Sequence, residues 1–67
     1  MDIKLRFAAK VKELRAASGM SQEVLANAAG LDRTYLQSIE KGKRNVSLET
    51  VEKLAMAFNI EIKDFFK

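Results

Sequence analysis

Sixty-seven residues with a formal net charge of +3 make one small domain, 1–67, with no room for a second core. The chain has neither cysteine nor histidine. That excludes disulfide staples, thiolate metal sites and the commonest general base, and it points to a reducing compartment. No apolar run approaches the roughly 20 residues of a membrane span and the N-terminus lacks a signal-peptide core, so a cytoplasmic location is expected.

Proline is absent and strong helix formers dominate, which predicts an all-α chain of five helices. The first runs from about Ile3 to Ser18, with Phe7, Val11 and Leu14 on one face, and Gly19 ends it. Ser21 caps the second, which runs to about Ala29. Gly30 marks a tight turn, and Asp32 caps the third helix, which runs to about Lys41 before a left-handed stop at Gly42. The loop Gly42-Lys43-Arg44-Asn45 follows. Ser47 then caps a fourth helix, with Val46 stapling onto Val51 across the cap. Its expected buried stripe is Leu48, Val51, Leu54, Ala55 and Phe58. Asn59 breaks the pattern, and a short fifth helix spans about Ile62 to Phe66. No repeat, linker or low-complexity segment interrupts this order.

The most informative stretch is Gln22 to Lys41, QEVLANAAGLDRTYLQSIEK. Leu25, Ala26 and Ala29 before the turn, and Leu36 and Ile39 after it, are the small or apolar residues two crossing helices need where they touch. Arg33, Thr34, Gln37, Ser38 and Lys41 remain for the outer face of the second of these helices. That face carries hydrogen-bonding groups and little apolar surface, as a helix reading base edges in a DNA major groove requires. Charge agrees with this placement: residues 1–45 hold nine Lys/Arg against five Asp/Glu, whereas residues 46–67 hold three against four. One side of the domain is thereby suited to a polyanion.

The segment MSQEVLANAAGLDRTYLQSIEKGKRNVSLETVEKLAMAFNI resembles the Cro/phage-repressor type of helix-turn-helix regulator, the XRE family. GLDRTY followed by IEKGKRNVSL is similar to the small controller proteins of restriction–modification systems. The resemblance covers nearly the whole chain. It implies a compact five-helix, lambda-repressor-like DNA-binding domain with its helix-turn-helix at 22–41. It also implies homodimers that bind operator DNA with inverted half-sites. A phage- or plasmid-type repressor is the alternative within the class, and an antitoxin-like protein-interaction module that retains the fold is the alternative outside it.

On this reading Arg33 and Thr34 stand at the end of the third helix that enters the groove. Arg33 would bind a guanine through O6 and N7, and Thr34 would touch a thymine methyl or a phosphate. Gln37 and Ser38, one turn on, would reach further bases or the backbone. Tyr35 takes a mixed role, its ring against the second helix and its hydroxyl toward DNA. The family places a backbone-contacting Gln where Gln22 stands, at a helix N-terminus that itself attracts phosphate, with Ser21 as cap and possible neighbour of that contact. In the resembling controller proteins the loop Arg reaches DNA, which makes Arg44 a third base-contact candidate. Lys41, Lys43 and Asn45 would add backbone contacts that weaken with salt. The family also pairs a Glu at the position of Glu40 with an Arg late in the first helix. A bidentate, partly buried Arg15–Glu40 bridge of structural role is therefore expected.

The C-terminal segment holds more large apolar groups than a short helix can bury. Ile62, Phe65 and Phe66 make one stripe, with Met56 and Ile60 as neighbours. Part must close the core, and the remainder is a candidate dimer surface; the alternative is that all of it is core. No catalytic constellation can be assembled, and no cofactor, metal or small-molecule ligand is expected. The expected partners are double-stranded operator DNA and a second copy of the chain, with RNA polymerase a further candidate and no membrane.

Overall fold

Four short side chains with an acceptor oxygen, each on extended backbone, open the four α-helices. The computed structural model describes residues 2–66. In it the Asp2 side chain accepts from the Lys4 N–H and starts α1 (Ile3–Ser18), and Ser21 accepts from Val24 N–H and starts α2 (Gln22–Ala29). Asp32 accepts from the N–H groups of both Thr34 and Tyr35 and starts α3 (Arg33–Glu40), and Ser47 accepts from Thr50 N–H and starts α4 (Leu48–Phe58). Each bond satisfies a donor that the first helical turn leaves without a partner. Asn59, at φ 57°, ends α4 in the left-handed region, which asparagine tolerates better than most residues.

Chain order places α3 across α1 and α2, with α4 and the C-terminal segment closing the other side. The centre is apolar: Val11, Leu25, Leu36, Ile39 and Leu54 are fully buried, ringed by Phe7, Ala26, Ala29, Val51, Ala55 and Phe65. Alanines at 26 and 29 let α2 approach its neighbours closely, so the helix-turn-helix is held from behind as a rigid unit. No helix among the described residues is long and apolar enough to cross a membrane.

Within the fold the structure departs from the sequence reading at the last element and along the expected stripe of α4, where Phe58 is only half-buried. The expected fifth helix is a 3-10 turn, Ile62–Phe66. The Asp64 N–H bonds the Glu61 carbonyl at 3.0 Å, an i→i+3 link, while the Asp64 carboxylate accepts from Glu61 N–H at 3.0 Å. Five residues cannot propagate an α ladder, and the tighter turn forms instead. Leu48, assigned to the buried stripe of α4, is 84% exposed. As the first residue of α4 it lies beyond the edge of the core, beside Ile3 and Phe66 along a shallow apolar groove. Thr50 is buried in this turn instead, its Oγ1 accepting from Ser47 Oγ at 3.1 Å.

Gly42, following Lys41 at the end of α3, is needed twice over. Its φ is +71°, and a Cβ there would lie 2.5 Å from Leu5 Cδ2. Gly42→Ala is expected to lower stability by about 1 to 2 kcal/mol, mainly through the left-handed backbone. The check is the urea midpoint: an unshifted midpoint would refute the strain, and partial recovery in Leu5→Ala would assign a share to the contact.

Candidate nucleic-acid interface

The outer face of α3 begins where Asp32 fixes the first turn, and Arg33 and Thr34 there are solvent-exposed. Arg33 Nη1 lies 3.8 Å from Glu23 Oε2 on α2, with both side chains mostly exposed. Such a pair contributes little and is readily exchanged for a phosphate or a base edge. Lys41, Lys43 and Asn45 are likewise exposed beside the end of α3. Among the described residues no acidic side chain forms an ion pair with either lysine.

Behind this face lies a polar network that joins three helices. Arg15 Nε and Nη2 donate to Glu40 Oε2 and Oε1 at 2.8 and 3.0 Å, a two-point fork, and Nη1 donates to the Met20 carbonyl at 3.2 Å. Gln22 Nε2 donates to the same Glu40 Oε1 at 3.1 Å, and Gln22 Oε1 accepts from Gln37 Nε2 at 3.4 Å. Glu40 is buried yet carries three donors on its two oxygens. A buried carboxylate needs that degree of satisfaction. The hydrogen bond to Glu40 raises Arg15 above the ordinary arginine value; burial opposes the shift and charge attraction from Glu40 adds to it. Gln22 and Gln37 are half-buried in this network, so neither amide is as free as an outer-face reading supposes. Gln22 retains its place at the N-terminus of α2, where unpaired backbone N–H groups suit a phosphate. Ser21 Oγ, next to it, is engaged as the cap at 3.1 Å from Val24 N.

A second cluster ties the loop after α3 to its outer face. Ser38 Oγ donates to the Tyr35 carbonyl at 2.7 Å and accepts from Arg44 Nε at 3.1 Å. The Arg44 guanidinium carbon lies 5.6 Å from the Tyr35 ring centroid, within cation–π range. Sequence reasoning placed all three residues at the interface but missed their mutual contacts. No periodic signal marks a loop arginine that folds back six to nine positions along the chain.

The C-terminal apolar residues divide. Phe65, assigned with the others to a dimer surface, belongs to the core: it is 3% exposed and lies 5.0 Å from Phe7 and 6.3 Å from Phe58 between ring centroids. Ile60 is half-buried against the core. Met56, at 74%, and Phe66, at 48%, remain exposed together with Ile62.

The helix-turn-helix family model matches residues 11–65. The control protein C.MunI from a Mycoplasma species is 48% identical over 66 residues, spanning 97% of this chain and 89% of its own length. Among solved structures, the restriction–modification controller protein C.AhdI from Aeromonas hydrophila superposes with a TM-score of 0.92 at 48% identity, covering 94% of this chain and 96% of that one. The controller protein C.Esp1396I, solved as a tetramer in complex with its natural 35 base-pair operator, superposes with a TM-score of 0.90 at 30% identity, covering 98% of this chain and 87% of that one.

Proposed function

This chain belongs to the helix-turn-helix family, non-enzymatic DNA-binding transcription regulators, and on that premise we propose that it binds an inverted-repeat operator as a homodimer. Within the family it serves as the controller protein of a restriction–modification system, acting on its own gene and on the restriction gene. The observation that carries this reading is α3, whose first turn holds Arg33 and Thr34 in solvent while its other face is anchored in the core. Its likeness over nearly the full length to control proteins supports the narrower role.

In the complex, Arg33 hydrogen-bonds guanine O6 and N7 and Thr34 meets a thymine methyl or a phosphate. Arg44 reads from the flanking loop, and Gln37 reaches bases as far as its bond to Gln22 allows. Backbone N–H groups at Gln22, the Ser21 cap, the Tyr35 hydroxyl, Lys41, Lys43 and Asn45 fix the register on phosphates. Met56, Ile62 and Phe66, with Ile60 beneath, form the twofold contact. Two recognition helices joined this way read half-sites about one DNA turn apart, roughly 34 Å. Activation or repression then depends on where the operator lies relative to the RNA polymerase site.

The test is a gel-retardation titration at near-physiological salt on the duplex upstream of this protein's own gene, beside a scrambled duplex. The expected preference is about 10³-fold or more. Arg33→Ala is expected to weaken specific binding by about 10- to 100-fold with little change on scrambled DNA. Equal, weak binding to both duplexes, unchanged in the mutant, would overturn the reading and favour a protein partner.

A further inference from the structure

Of the residues on the outer face of α3, Ser38 is the one whose only side-chain donor is already committed within the protein. Its hydroxyl has a single proton, and that proton goes to the Tyr35 carbonyl at 2.7 Å. One of its lone pairs receives Arg44 Nε at 3.1 Å. A serine so engaged has no donor left for a base acceptor. Arg44, by contrast, donates only from Nε among the described residues, and its guanidinium carbon lies over the Tyr35 ring, 5.6 Å from the centroid. Both terminal nitrogens remain open at the rim of the recognition helix.

The geometry points to Ser38 as a positioning residue: with the Tyr35 ring it clasps Arg44, and it does not itself read DNA. An arginine on a loop ordinarily sweeps many rotamers and loses that freedom on binding. Here the bond at Nε and the neighbouring Tyr35 ring restrict the side chain before DNA arrives. Arg44 is exposed, and its two terminal nitrogens keep their donors for a guanine edge or a phosphate. The clasp joins α3 to the loop after it, so the loop reader and the helix readers share one frame. This inference rests on the DNA-binding reading above and adds to it how Arg44 is aimed.

The clasp has a signature in a double-mutant cycle on the upstream duplex. Ser38→Ala alone should weaken binding about three- to tenfold, the scale expected when one preorganised side chain is set free. Arg44→Ala should weaken it further. The double mutant should bind no worse than Arg44→Ala, because Ser38 has nothing left to position. Additive losses would mean that Ser38 touches DNA directly, and binding by Ser38→Ala equal to the parent would mean that the clasp does nothing; either result overturns the proposal. If the unmodified protein shows no preference for the duplex, it is the DNA-binding reading that falls. The clasp is then judged in the free protein by the NMR signal of the Arg44 Nε–H. It should exchange slowly with water in the parent and quickly in Ser38→Ala, and equal exchange in the two would overturn it.

Discussion

Arg15→Ala is expected to lower the unfolding free energy by about 3 kcal/mol, the lower end of the range for breaking a buried pair by removing one partner. The lower end applies because the Arg15 side chain is partly exposed whereas that of Glu40 is almost entirely buried. The loss comes less from attraction forgone than from what remains: a carboxylate enclosed among α1, α2 and α3, with Gln22 as its one surviving donor. In a domain of 67 residues whose total stability is of order 3–10 kcal/mol, this should lower the melting temperature by roughly 10 to 20 °C. Circular dichroism measures it directly. The paired replacement Arg15→Met with Glu40→Leu should recover most of the loss, because no unpaired charge stays behind. A double mutant as unstable as the single would show that the fork itself, and not the stranded charge, sets the cost. The pH dependence has a definite sign. A group whose value is raised in the folded state contributes stability that is complete below its unfolded value and lost only as pH climbs through the folded one. Arg15 therefore introduces no variation near neutrality, and its share fades only in strong alkali.

The parts of this molecule that were legible in the sequence are those fixed by local chemistry. Ser21, Asp32 and Ser47 cap helices where a short acceptor precedes an apolar period, and Gly30 and Gly42 stop helices in a conformation few other residues tolerate. Leu25, Ala26, Leu36 and Ile39 are buried where helical spacing places them. Legibility ended where a residue's fate depends on how far the core extends. Leu48 has the right period and chemistry for burial, yet it sits one turn beyond the packed layer. The fork between Arg15 and Glu40 spans 25 positions, and only family resemblance suggested it. At the interface, sequence identified exposed polar types without showing which of them were already bonded to one another. Ser38 and Gln37 look like free readers by periodicity, but one is held by Arg44 and the other by Gln22.

Adjacent phenylalanines at the C-terminus should separate folding from association. Phe65 faces inward against Phe7 and Phe58, whereas Phe66 stacks on Phe7 at 6.2 Å between centroids with much of its ring still in water. Removing a buried phenylalanine costs about 3 to 5 kcal/mol in transfer energy and residual cavity. Phe65→Ala should therefore abolish most cooperative melting in so small a domain, at any protein concentration. Phe66→Ala should spare the monomer fold, because the ring it removes is half solvated. If Phe66 contributes to the twofold contact, its loss should raise the dimer dissociation constant and so weaken the dependence of the melting midpoint on protein concentration, toward that of an independent monomer. Met56→Glu offers a cleaner second variant, since that side chain is largely exposed and the new charge would be desolvated only on association. Sedimentation velocity across a dilution series distinguishes the outcomes. Dimers that persist unchanged in both Phe66→Ala and Met56→Glu would move the twofold contact away from this face. Operator affinity that falls in step with dimer loss, while Arg33 and Thr34 are untouched, would show that half-site spacing is enforced through it.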